Sequence, residues 1–132
     1  MEQINAIKNL LQAFPLWGEQ VLTVDVKGAQ PDTCTLFPLG LQVLSQKEDV
    51  LGNTVRRLRQ TFLLRRVACI GESAAAWLMQ LQAWLLTQPL NHLEPVFGSS
   101  LRLWAQGGHL TGGKQPGTGI YEVKIFAEYE KE

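Results

Sequence analysis

From Thr54 to Cys69 the chain runs for 16 residues rich in β-forming types, with no glycine or proline among them. A run of this kind reads as one long strand. On a strand of period two, Arg57, Arg59 and Arg65 share one face, while Leu58, Phe62 and Leu64 share the other. Such a strand belongs in a sheet with one face on a core and the other turned toward solvent or a partner.

Two helical patterns can cover the apolar face. Ile4, Ile7, Leu10, Leu11 and Phe14 recur at three- and four-residue spacing and form the stripe of an amphipathic helix ended by Pro15. Gly71-Glu72-Ser73 can start a second helix, with Ser73 as its N-cap; Trp77, Leu78, Leu81, Trp84 and Leu85 form its stripe, and Pro89 stops it. The seven-residue spacing of Trp77 and Trp84 would also suit a ligand-binding aromatic face, but an apolar helical stripe ordinarily packs on the core.

The remaining strands are shorter. Gln20 to Lys27 alternates as a half-buried strand closed by the turn-forming Gly28-Ala29-Gln30-Pro31-Asp32. Thr33 to Phe37 is a short β-type run, which Pro38 and Gly40 mark as irregular or at a sheet edge, leading into Leu41, Val43 and Ser45. A break is expected over Gln46-Lys47-Glu48-Asp49, continuing through Gly52-Asn53. Ser100 to Ala105 and Ile120 to Tyr129 read as two further strands, paired antiparallel across a glycine-rich stretch from Gly107 to Gly119. The order helix, strands, helix, strands predicts an α+β fold: a mostly antiparallel sheet of four to five strands with two helices on one face. No repeat or boundary divides residues 1–132, so a single domain is expected.

Composition narrows the function classes. The chain has 132 residues, 45% of them hydrophobic and 18% charged, enough for a folded core without disulfide or metal. Its net charge is zero, whereas binding nucleic acid mainly through phosphates would call for a basic excess. Cys34 and Cys69 lie in apolar strand-like segments without metal-site spacing and read as buried, reduced thiols. Met1 to Phe14 lacks the basic start and apolar run of a signal peptide, and no segment reaches the roughly 18 apolar residues that span a bilayer. A soluble protein, not a membrane protein, is expected.

The apparent chemical motifs lack their context. Gly108 to Gln115 approaches the phosphate-cradling pattern GxxxxGK[ST], but Gln115 stands where the metal-binding hydroxyl belongs. Pro116-Gly117 follows where a helix should begin. His92 and His109 have no Cys, Asp or second His at ligand spacing, and Ser45, Ser73, Ser99 and Ser100 lie in no nucleophile elbow. No catalytic residue, metal or cofactor is expected.

Charge distribution is more informative. Arg56, Arg57, Arg59, Arg65 and Arg66 are five of the six arginines, while Glu122, Glu128 and Glu130 make the last strand acidic, with Glu132 beyond. Two readings stand. In one, the rows are surfaces through which copies attract one another, closing a ring if they lie on different sides. Alternatively, they pair across neighbouring strands of one chain.

The N-terminal helix, the strand Val21 to Asp25, a Pro38-bearing strand, the turn at Gly52-Asn53, the strand Arg56 to Phe62, a Trp-containing helix and a closing strand from Tyr121 to Tyr129 together resemble small phage minor capsid or tail-terminator proteins. Element order, length and local character carry the resemblance over nearly the whole chain. It implies a virion protein, assembled in the bacterial host cytoplasm, that forms a ring, often a hexamer, at the head-proximal end of the tail. The implied partners are copies of itself, the tail tube and the head connector, and the family offers no catalytic residues. Arg56, Arg57, Arg59, Arg65, Arg66, Glu122, Glu128 and Glu130 are the candidate subunit interface. Gly107, Gly108, Gly112, Gly113, Lys114, Gly117 and Gly119 form a candidate mobile loop for contacting a neighbour or the tube. A head–tail connector or tail-completion role is the near alternative; separately, the five-arginine strand could face DNA in the ring lumen instead of a neighbouring subunit. An alternative of another class is a nucleic-acid-binding or adaptor module using Arg56 to Arg66, disfavoured by zero net charge and by the absence of exposed aromatics among those arginines.

Overall fold

The computed structural model describes residues 2–18, 20–24, 33–69, 72–112 and 118–132. Its elements are α1 (Glu2–Gln12), β1 (Val21–Val24), β2 (Thr33–Glu48), β3 (Thr54–Cys69), α2 (Glu72–Leu86), a single 3-10 turn (Asn91–Leu93), β4 (Ser99–Gly112) and β5 (Thr118–Lys131). The strands form one five-stranded sheet in the order β1-β2-β3-β5-β4. The β1–β2 pair is parallel and the other three are antiparallel. This is the α+β architecture expected from the order of elements.

Period two on the two central strands sets the layers. In register, Leu58 faces Tyr129, Phe62 faces Ile125 and Leu64 faces Val123, and all six are buried. Ile7, Leu10 and Leu11 of α1 and Trp77, Leu78, Leu81 and Leu85 of α2 join the same hydrophobic cluster, so both helices cover one face of the sheet. Burying each large aliphatic side chain stabilises the fold by roughly 1.5–3 kcal/mol. The two tryptophans of α2 take the core role: Phe14 packs on Trp77 at 5.8 Å and on Trp84 at 5.2 Å between ring centroids. Trp77 Nε1 also donates to the Leu16 carbonyl at 2.9 Å, tying α2 to the segment that follows α1. Cys34 is fully buried, and its Sγ donates to Gln20 Oε1 at 3.4 Å.

Several boundaries differ from expectation. Instead of breaking at Gln46, β2 is one continuous strand to Glu48 that passes Pro38 and Gly40 on a register shift and makes another between Val43 and Ser45. The bulges absorb the proline, and beyond Leu36 no described strand pairs with the outer side of β2, so the missing N–H of Pro38 need break no ladder. Ser73 lies inside the first turn of α2, which begins at Glu72. The turn assigned to residues 28–32 lies outside the described residues.

Candidate functional site

The sheet face away from the helices carries the charges. Although β3 and β5 are far apart in sequence they are neighbours, and their register sets Arg57 opposite Glu130, Arg59 opposite Glu128 and Arg65 opposite Glu122. Arg59 donates from Nε and Nη2 to Glu128 Oε2 at 3.2 and 2.9 Å. Arg57 Nε lies 3.4 Å from the other oxygen of Glu128, and its Nη1 lies 3.7 Å from Glu130 Oε1. Arg65 donates from Nε and Nη2 to Glu122 Oε2, both at 3.2 Å. The Glu128 side chain is only 8% exposed, so two arginines hold a nearly buried carboxylate in place.

The two charged rows therefore lie on the same face and pair within the chain; they do not form separate patches on opposite sides. Arg56 and Arg66 are not among them. Arg56 Nε donates to Gln46 Oε1 at 3.1 Å on the exposed end of the β2–β3 hairpin. Arg66 lies on the helix-bearing face with its guanidinium 4.4 Å from the centroid of the Trp77 ring, and its Nε and Nη1 are buried without a hydrogen-bond partner among the described residues. This structure thus brings together Arg57, Arg59 and Arg65 with Glu122, Glu128 and Glu130, and separates Arg56 and Arg66 from them.

Aromatic side chains do interleave with these arginines, contrary to the reading of the arginine strand alone, because neighbouring strands supply them. Trp104 of β4 stacks on Phe126 of β5 at 5.4 Å with an interplanar angle of 22°. The Arg59 guanidinium lies 5.8 Å from both ring centroids and Arg102 lies 5.4 Å from Trp104, while Arg65 lies 5.5 Å from Phe37. Cation–π contacts at partly exposed sites contribute about 0.5–1 kcal/mol each. A shallow groove of about 500 Å³ crosses this face from Leu39 on β2 to Gln106 on β4, over Leu63 and Lys124.

The glycine-rich stretch is mostly strand. Gly107, Gly108 and Gly112 lie in β4, which continues to Gly112, and Gly119 lies in β5. Register shifts between Gln106 and His109 and between Leu110 and Gly112 let β4 accommodate them, and Gly107 takes a φ of 77°. Gly113, Lys114 and Gly117 lie outside the described residues. The phosphate-loop pattern therefore starts within a strand, and the next described element is the antiparallel strand β5 where a nucleotide site would need a helix. Among the described residues, no three His, Cys, Asp or Glu side chains gather to hold a metal ion, and no helix is long and apolar enough to cross a membrane.

The feature that single-strand reasoning missed is the far end of the β2–β3 hairpin. Leu39, Leu41, Val43, Val50 and Leu51 are exposed there, Val50 completely. Leu41 and Val43 stood in the sequence as the continuation of an irregular or edge strand, but nothing in that strand alone showed that it runs on to Glu48 with these side chains uncovered. At the tip, Asp49 closes the turn: its Oδ1 accepts from the amides of Leu51 and Asn53, both at 2.9 Å. Those bonds, that of Asn53 foremost, hold the Asp49 carboxyl below its usual value of 3.8. Gly52 takes the positive φ of 84° that the turn requires.

At the opposite border of the sheet, β4 from Leu101 to Ala105 and the side chains of Leu86 and Leu90 line a groove of about 510 Å³. The fold and these surfaces define an α+β sheet protein with one charged face, one helix-covered face and, among the described residues, two borders that no further strand covers. No protein-family model matches the sequence, and no curated protein matches it.

Proposed function

We propose that this chain is a structural assembly subunit, and that it works as a phage tail-terminator or minor capsid protein that forms a ring where the tail meets the head. The observation that carries the assembly reading is the exposed hairpin arm, with Leu39, Leu41, Val43, Val50 and Leu51 on or beyond a strand border that no described strand covers. Several exposed apolar side chains along an unpaired edge mark an interaction site. The order of elements supports the phage assignment: an N-terminal helix, a Pro38-bearing strand, an arginine-rich strand, a tryptophan-bearing helix and an acidic closing strand. Tube and connector proteins are the heterologous partners of that reading.

Light scattering after size exclusion over a range of concentration, with negative-stain microscopy of the largest species, tests it. A discrete annular multimer is the expected result. A monomer at every concentration overturns the self-assembling ring.

The stacked Trp104 and Phe126 with Arg59 and Arg102 above them favour a second reading, single-stranded nucleic acid laid across the charged face. The carboxylates that neutralise Arg57, Arg59 and Arg65 weigh against it. Fluorescence anisotropy with labelled oligonucleotides at low salt decides, since no binding there ends this reading.

A further inference from the structure

We infer that the arm of one copy adds as a strand to the β4 border of a second copy, with Leu41 and Val43 seated on the groove beside Leu86 and Leu90. This rests on the assembly reading and names the surface that receives the arm.

Both borders of the sheet are free among the described residues. On one side β2 pairs with β1 only from Thr33 to Leu36, leaving residues 37–48 with β3 alone. On the other side β4 ends the strand order and pairs only with β5. Exposed strand borders present unpaired backbone donors and acceptors, which another strand can satisfy. Natural edges are usually blunted by charge or proline. Here Pro38 stands at one end of the free stretch and Lys47-Glu48 at the other, while residues 39–46 carry no charge at all.

Facing supports the match. Leu41 is in register with Gln60 and Val43 with Leu58, and Leu58 belongs to the core cluster, so both arm residues project from the helix-bearing side. They are 59% and 55% exposed because neither helix extends over them. Leu86 and Leu90 close the groove on that same side, from the end of α2 and the segment after it, and Leu86 is 70% exposed. When one copy's arm extends the next copy's sheet with the helices of both on one side, the apolar residues of the arm meet the apolar wall of the groove. Leu101 and Leu103, whose side chains face the core, supply its floor. A second copy is the occupant because one chain carries both halves of the match. The contact is heterologous, using different surfaces on the two copies, and so propagates around a ring and leaves the Arg–Glu ladder of every copy on one continuous surface.

The test mixes two full-length populations in a Cys69→Ser background, one carrying Val43→Cys and the other Leu86→Cys plus a mass tag; Cys34 is buried and stays. Mild oxidation is expected to yield a disulfide-linked species of the mixed mass. In parallel, amide exchange of the unmodified multimer is expected to show protection gained together in residues 39–43 and 101–105. Multimers that crosslink only Val43→Cys to itself, or whose residues 101–105 exchange as fast as in the monomer, overturn this inference and leave the assembly reading standing. A protein that neither crosslinks nor multimerises overturns both.

Discussion

Glu128 accepts both hydrogen bonds of Arg59 on one carboxylate oxygen and meets Arg57 with the other, from a position directly opposite Arg59 in the β3–β5 ladder. Two guanidiniums thus share one carboxylate that is nearly shut off from water. Removing one member of a buried ionic group is expensive because it strands the others. Glu128→Gln is expected to lower stability by about 2 kcal/mol, less than the roughly 3–5 kcal/mol of a fully buried pair, since water still reaches both arginines. Glu130→Gln, at a side chain 43% exposed, should stay within about 0.5 kcal/mol. Urea midpoints at constant slope check both, and equal effects would remove the distinction.

That ladder also shows how far the sequence alone reaches. The face on which Arg57, Arg59 and Arg65 lie follows from period two, and the extent of β3, Thr54 to Cys69, follows from uninterrupted β-forming residues. Which row of acids they meet depends on β5 lying next to β3, a choice made by the whole sheet and absent from either strand. The same reason hid the aromatics, since Phe37, Trp104 and Phe126 come from three other strands. Pro38 and Gly40 pointed to an irregular or edge strand, and beyond Leu36 β2 does run along the border of the sheet; what the sequence concealed is its length, since two register shifts carry the strand through Gln46 to Glu48.

Gly98 lies against the end of β5. A Cβ added there would fall on the Glu130 carbonyl oxygen and come within 2.8 Å of Tyr129 Cδ2, backbone and buried ring that cannot readily yield. Gly98→Ala is expected to cost about 1–3 kcal/mol from overpacking. Gly40→Ala, where a Cβ would meet nothing within 4 Å, should change stability by no more than about 0.5 kcal/mol. Thermal unfolding of the two variants side by side gives the comparison, and a Gly98→Ala protein as stable as its parent would contradict the close approach.

Trp77 joins three layers: its ring packs against Phe14 and Trp17, its face receives Arg66, and its Nε1 bonds the Leu16 carbonyl. Trp77→Phe keeps an aromatic ring and loses the donor. A net hydrogen bond contributes about 1 kcal/mol, and leaving the acceptor without its partner adds to the cost, so a loss of about 1–3 kcal/mol is expected. Trp84, whose indole makes no such bond among the described residues, serves as the comparison: Trp84→Phe should cost less. Chemical denaturation followed by circular dichroism separates the two, and a reversed order would argue against the donor's role.

The hairpin tip should respond to acid through Asp49. The backbone amide of Asn53 leads in stabilising its charged form; partial desolvation works the other way, and the Leu51 amide and the Asn53 side chain add to the lowering. The folded pKa therefore lies below the unfolded one. A depressed carboxylate contributes stability that is fully present above the unfolded value, near 3.8, and is lost as pH falls through the folded value. NMR titration is expected to show the Asp49 carboxyl changing below 3.8, with the Leu51 and Asn53 amide shifts moving in the same pH range. Asp49→Ala should abolish those amide shifts at every pH and loosen the turn, leaving the amides of the helix-covered core unchanged. If Asp49 titrated at or above its usual value, the turn bonds would be too weak to order the tip. The arm would then reach its partner without a fixed end.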